Sequence, residues 1–175
     1  QKDSSHTFEI LKYFEDSFNY GYDHYTFLCD LINDTNIDGM NRRTKFEFCY
    51  LPWYIKTFEG VYFKVIPIVF GAIFFLKKRE KNLTKIDSFL NRDKYDQLKK
   101  HGLSDLISSC DFVVRNSIGH QGFNFEDEMF EENKIRFIDR SEPKLLLDQE
   151  FVDLFEQLLD DCGAIILACL VFRLQ

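Results

Sequence analysis

The chain has 175 residues, of which 45% are hydrophobic and 17% aromatic, enough to build one domain around a single large core. Its net charge of -7 at pH 7 argues against a general nucleic-acid coat, because non-specific affinity comes from Lys and Arg neutralising phosphates. Five cysteines form no CxxC pair and fit no simple disulfide framework, so we expect reduced core thiols in a cytoplasmic protein.

Neither a leader peptide nor a membrane span is expected. The start of the chain lacks the cationic and apolar pattern of a signal peptide, and Gln1 in place of Met suggests a fragment of a longer protein. Two apolar runs, Val65–Leu76 and Cys162–Phe172, are shorter than the roughly 20 residues of a spanning helix and predict buried helices. No linker marks a domain boundary, so residues 1–175 are expected to form one domain.

The sequence of the first half of the chain predicts two long helices. The first covers roughly Thr7–Ile32, with an interruption near Gly21, and a polar loop follows over Asn33–Arg43. The segment Phe46–Leu76 is aromatic or aliphatic on nearly every side, which is typical of a central helix with neighbours all round. Pro67 is expected to kink or divide this helix, because it removes a backbone donor.

Two shorter helices are predicted next. A basic helix covers Asn91–Lys100, and Gly102 can end it in the left-handed conformation. Ser104 can then cap a second helix, which leads into the segment Arg115–His120. The apolar positions of that second helix recur at helical spacing: Leu106, Ile107, Cys110, Val113 and Val114.

The sequence of the last part of the chain predicts a small hairpin and a long helix. The run Lys134–Asp139 can pair with Gly122–Phe125 as two short strands. Asp148 is the expected N-cap of the final helix, with Leu147 and Val152 forming a hydrophobic staple around it. The buried stripe of this helix is expected to contain Phe151, Phe155, Leu158, Cys162, Ile165 and Cys169.

The segment Arg115-Asn116-Ser117-Ile118-Gly119-His120 places a permanent cation five residues before a titratable imidazole, a pairing suited to phosphate chemistry. The spacing alone is weak evidence in a chain with eight Arg and four His. On an ideal helix, at about 100° per residue, Arg115 and His120 would lie roughly 140° apart. We therefore expect Gly119 to end or deform the helix, so that the imidazole turns back toward the guanidinium.

These six residues, at the end of a helix that follows a basic helix, resemble the Arg-polar-x-x-x-His signature of the HEPN superfamily. The resemblance implies an all-α bundle of about five or six helices, here with a small hairpin after the motif, that forms a homodimer with a composite site. Many HEPN proteins are metal-independent endoribonucleases of toxin–antitoxin, abortive-infection or CRISPR-associated defence systems. Others are inactive and serve as binding or dimerisation modules.

The resemblance assigns roles to three residues and implies no metal or cofactor. His120 would act as general base or general acid, with a counterpart from a second subunit, while Arg115 would bind the scissile phosphate. Asn116 would orient the imidazole or form a hydrogen bond across the dimer. The RNA 2′-hydroxyl would be the nucleophile, giving a 2′,3′-cyclic phosphate and a 5′-hydroxyl. A neutralising or sensory protein could be a further partner.

Charge is unevenly distributed along the chain. Residues 77–100 contain nine basic and four acidic residues, whereas residues 123–161 contain four basic and thirteen acidic residues. The basic cluster Lys77, Lys78, Arg79 and Lys81 could guide an RNA backbone, although a solvated helix end explains it equally well. The acidic segment could face a basic partner or only solvent.

Simpler interpretations remain open for the motif and its surroundings. Arg115 could form a salt bridge with Asp111, one helical turn earlier, leaving His120 as a polar residue at a helix end. Glu59 lies in the aromatic central helix and needs a partner, for which Lys56 or Lys64 is the simplest candidate and support of Arg115 the alternative. The other histidines, His6, His24 and His101, lie at no recognisable metal-binding spacing.

Overall fold

The computed structural model describes residues 2–76, 90–126, 133–140 and 142–173. These residues form a mostly helical fold with five helices, one 3₁₀ turn and a three-stranded antiparallel sheet of order β1-β2-β3. The helices are α1 (Lys2–Asp34), α2 (residues 42–76), α3 (Asn91–Lys100), α4 (Phe112–Gly119) and α5 (Asp148–Arg173), and the strands are β1 (Phe123–Glu126), β2 (Lys134–Asp139) and β3 (Glu142–Leu147).

Helix α1 runs without the interruption expected near Gly21. Gly21 is buried, and a Cβ atom at this position would lie 2.2 Å from Cγ1 of Val65. The glycine therefore allows α1 and α2 to pack closely and does not break the helix. The following loop is also shorter than expected, because α1 continues to Asp34 and α2 already begins at Arg42, where Asn41 accepts a hydrogen bond from the Thr44 amide.

Helix α2 is the expected central helix, and its side chains form much of the core. Tyr54, Phe58, Tyr62 and Phe70 are fully buried. Pro67 lies inside the α-helical part Phe63–Leu76 and does not divide it. Two wider π-helical turns interrupt the α-helical geometry earlier in the segment, at Phe46–Tyr50 and Lys56–Tyr62.

The predicted basic helix α3 is confirmed, and Gly102 follows it with a left-handed φ of 75°. The next helix does not begin at Ser104. A 3₁₀ turn at Asp105–Ile107 comes first, and α4 begins only at Phe112, after Asp111 accepts a hydrogen bond from the Val114 amide. Tertiary contacts explain the break, because the buried hydroxyl of Tyr54 bonds to both backbone groups of Asp111 at 3.2 and 3.3 Å.

The predicted hairpin is confirmed, but the sheet is larger than expected. Strands β1 and β2 pair antiparallel with Phe123 opposite Phe137. A third strand, β3, pairs with the other edge of β2, so that Asp139 lies opposite Glu142. Arg140 takes the left-handed φ of 57° in the connection between β2 and β3. The expectation of a helical fold with only a hairpin is corrected to a helical fold with three strands.

Helix α5 begins at Asp148, as expected to within one residue. The amide of Leu147 donates to the Glu150 carboxylate at 2.8 Å, which is half of a capping box. The Asp148 carboxylate instead accepts hydrogen bonds from Nε and Nη2 of Arg42, at 2.6 and 2.8 Å. The predicted stripe is confirmed, since five of its side chains are buried and Cys169 is partly buried: Phe151, Phe155, Leu158, Cys162 and Ile165.

All five cysteines are free, as predicted, and Cys49, Cys110 and Cys162 are buried. Within the described ranges, no helix combines the length and the apolar character that crossing a bilayer requires.

Buried thiols and phenols make the stability sensitive to alkaline pH. Burial raises the pKa of Cys110 to about 12, and it also raises the pKa of Cys162 and of Tyr54. In an unfolded chain these thiols and phenols ionise near pH 8.5 and 10, respectively. We expect full stability below about pH 8.5 and a progressive loss above it, because only the unfolded chain releases the protons. Urea unfolding between pH 7 and about 10.5 measures this, and a constant free energy of unfolding would contradict it.

Candidate functional site

The motif occupies the second half of α4 and the first residue beyond it. The amide of His120 still donates to the Asn116 carbonyl at 2.9 Å, and His120 is the exposed C-cap residue. The left-handed residue that ends the helix is Gln121, with φ of 56°, and not Gly119 as expected. The side chain of His120 forms no hydrogen bond or ion pair with the described residues, so its imidazole remains free for another molecule.

Arg115 is held from two sides. Its Nη2 donates to Oε1 of Glu59, and its Nη1 donates to Oδ1 of Asn116 at 2.8 Å. The simpler prediction of a salt bridge between Arg115 and Asp111 is therefore wrong. The predicted pairing of Glu59 with a lysine of its own helix is also wrong. Glu59 lies in the π-helical turn Lys56–Tyr62, and its half-buried carboxylate meets α4 near the surface of the protein.

Asn116 extends this network to the sheet. Its Nδ2 donates to Oδ2 of Asp139 at 2.8 Å, at the end of β2. Asn116 thus fixes α4 against β2 within one chain, whereas the sequence suggested contact with the imidazole or a second subunit. Asp139 was not predicted from the sequence as part of this site. Its position at the end of the predicted strand, beside the helix that carries the motif, is the signal that could have found it.

A second set of contacts places the helix end against the sheet. The Gly122 amide donates to the Ser117 carbonyl, and the Ile138 amide donates to the Gly122 carbonyl, both at 2.7 Å. A Cβ atom at Gly122 would lie 2.6 Å from the Ile138 carbonyl oxygen, so the close approach requires glycine. At the other end of α4, Lys144 of β3 donates to Asp111. Both ends of the short helix are therefore anchored.

We call the four side chains joined by these hydrogen bonds the motif network: Glu59, Arg115, Asn116 and Asp139. The Arg115 side chain is about one-third exposed, and its guanidinium gives two of its five N–H groups to this network. Three N–H groups have no acceptor within the described residues and could bind phosphate oxygens. The network fixes the orientation of the guanidinium before a ligand arrives, which is the arrangement that stabilises developing negative charge most effectively.

Of the remaining predicted site residues, Gly119 lies within the described ranges. Gly119 is exposed, with open space around it. The predicted RNA-guiding residues Lys77, Lys78, Arg79 and Lys81 lie outside the described residues. Over the described ranges, no group of three or more His, Cys, Asp or Glu residues is arranged to hold a metal ion.

No family model, curated protein or solved structure matches the chain. The resemblance to HEPN proteins consequently rests on the six motif residues and the order of the helices.

Proposed function

We propose that the chain is a metal-independent endoribonuclease of the HEPN type. The observation that carries this proposal is the contrast between the two motif residues. Arg115 is oriented by Glu59 and Asn116 with donors to spare, while His120, at the end of the same helix, is exposed and has an unengaged imidazole. A fixed cation and a free proton-transfer group on one short helix supply two of the groups that transesterification at an RNA phosphate requires.

In the proposed reaction the RNA supplies its own nucleophile. His120 of one subunit takes the proton of the 2′-hydroxyl as that oxygen attacks the adjacent phosphorus atom. The bond from phosphorus to the 5′-oxygen breaks, and His120 of a second copy gives a proton to the departing oxygen. Arg115 donates hydrogen bonds to the non-bridging oxygens, on which negative charge increases. Glu59, Asn116 and Asp139 act as positioning residues in this scheme.

A non-catalytic binding or dimerisation module is the second candidate. The salt bridge to Glu59 offsets the charge of Arg115, and the whole chain carries a net charge of -7. Both features weaken the attraction for RNA. If the chain is an active nuclease with a defence or toxin role, it would involve a neutralising partner, since a free nuclease harms its own cell.

Cleavage of end-labelled RNAs in excess EDTA tests the proposal. We expect His120→Ala to lower the rate roughly 10²–10⁴-fold, the contribution typical of a general acid or base. His24→Ala is the matched control, because His24 is also an exposed histidine but lies on α1, where its ring is tilted against that of Tyr20. Dimerisation is verified at the assay concentration by sedimentation. Equal cleavage by all three proteins, or none by the unaltered dimer, would contradict the proposal.

A further inference from the structure

A pocket of about 420 Å³ lies between the start of α2 and the edge strand β1. Its volume is within the range of small-molecule sites in proteins. The lining combines polar and aromatic side chains: Asn41, Arg43, Glu47, Phe123, Asn124 and Phe125. None of these residues belongs to the motif network, so the pocket is a separate feature of the surface.

Arg42 also lines the pocket and makes one side of it rigid. Arg42 binds both carboxylate oxygens of Asp148 and donates to the Lys134 carbonyl at 2.9 Å, which ties α2 to α5 and β2. Its guanidinium carbon lies 5.2 Å from the centre of the Phe125 ring. Phe125 also packs edge-to-face on Phe46 and on Phe123. The position of the Phe125 ring in the pocket is therefore fixed before any ligand binds.

The rest of the lining offers unused hydrogen-bonding groups. Arg43 gives its Nε–H to Oε1 of Glu47 at 2.8 Å, and its guanidinium carbon lies 6.0 Å from the centre of the Phe125 ring. The Arg43 side chain is 75% exposed, so the outer face of its guanidinium is accessible. Oε2 of Glu47 accepts no hydrogen bond from the described residues. The amide nitrogen of Asn41 and the side chain of Asn124 are likewise unengaged within the described part of the chain.

This set of groups matches an unpaired nucleobase better than a bare anion. Planar bases stack on aromatic rings and on Arg guanidinium groups, and their edges form hydrogen bonds with polar side chains. A carboxylate can only accept hydrogen bonds, so Glu47 favours a base edge that carries an amino group. The same carboxylate would repel a phosphate placed inside the pocket.

The pocket also lies close to the motif along the chain. Phe123 follows His120 by three residues, and three residues span at most about 11 Å. A phosphate at His120 and a base at Phe123 could therefore belong to neighbouring nucleotides of one strand.

We propose that this pocket binds one unpaired, amino-bearing base of the RNA, next to the nucleotide whose phosphate meets Arg115 and His120. The assignment rests on the proposed function, because the RNA is its substrate. Glu47 reads the amino group, Arg43 covers the base, and Asn41 and Asn124 bond to its remaining polar atoms.

Binding of 2′-O-methyl RNA hexamers to the unaltered chain tests the pocket, because these probes cannot react through a 2′-hydroxyl. Cytosine and uracil differ in the edge that Glu47 would read, so we expect the cytidine hexamer to bind about tenfold more tightly than the uridine hexamer in fluorescence anisotropy. Glu47→Gln should reduce this preference to about twofold or less. Glu156→Gln, a matched change at an exposed position on α5, should leave it unchanged.

Equal binding of both hexamers, no binding of either, or a preference retained in Glu47→Gln would overturn the pocket assignment. So would free cytidine monophosphate competing as well as the hexamer, since RNA would then not be the ligand. A cytidine preference in a protein that cuts no RNA would support the pocket and contradict only the proposed cleavage.

Discussion

Replacing Arg115 with alanine is expected to slow RNA cleavage by roughly 10²–10³-fold, the usual loss when one oriented donor to a developing oxyanion is removed. The reason is geometric, because the motif network fixes the guanidinium through Glu59 and Asn116. A single-turnover rate with saturating protein isolates the chemical step from RNA binding. An unchanged rate would show that the guanidinium contacts only structural neighbours.

Two further variants separate charge from geometry at this position. Arg115→Lys keeps the positive charge but loses the planar fork, so we expect a rate between those of the unaltered chain and Arg115→Ala. Arg92→Ala removes a guanidinium on α3 that is 63% exposed and should leave the rate unchanged. A lysine variant as fast as the unaltered chain would contradict the importance of the oriented fork. Thermal unfolding of each variant verifies that the fold persists at the assay temperature.

Replacing Phe151 with alanine is expected to destabilise the fold by about 3–5 kcal/mol, as for other large core aromatic residues. Phe151 is fully buried where three elements meet, and its ring centre lies 6.0 Å from Phe46, 5.6 Å from Tyr54 and 5.5 Å from Phe137. Loss of the ring leaves a cavity between α2, α5 and β2. For a chain of this length we expect the melting temperature to fall by roughly 6–20 °C.

Phe48→Ala is the matched control for this core substitution. Phe48 lies on α2, as Phe46 does, but its side chain is 72% exposed. We expect its free energy of unfolding to change by no more than about 0.5 kcal/mol in urea denaturation. A loss at Phe48 comparable with that at Phe151 would contradict the location of the core.

Hydrophobic periodicity predicted the long helices well, because their burial depends on a repeat that the sequence displays directly. The stripe from Phe151 along α5 and the aromatic character of α2 are examples. The helix before the motif was mispredicted for a physical reason. Its apolar residues recur at helical spacing across Ser108–Asp111. However, the hydroxyl of Tyr54, which is distant in sequence, forms hydrogen bonds with both backbone groups of Asp111, and the helix is broken there.

The motif residues themselves could be found from their types and spacing, but their contacts could not. Arg115 had Asp111 at favourable helical spacing, yet Asp111 caps α4 and binds Lys144, while Glu59 reaches Arg115 from a π-helical turn. Neither a π-helical turn nor strand β3 has a strong local signature. Contacts that depend on such elements are set by tertiary packing.

The chemical form of the RNA ends produced in excess EDTA is the most direct test of cleavage by Arg115 and His120. We expect the dimer of the unaltered chain to leave 2′,3′-cyclic phosphate and 5′-hydroxyl ends, and His120→Ala to leave almost none. Ends carrying a 3′-hydroxyl and a 5′-phosphate, or cyclic-phosphate ends in equal yield from His120→Ala, would contradict it.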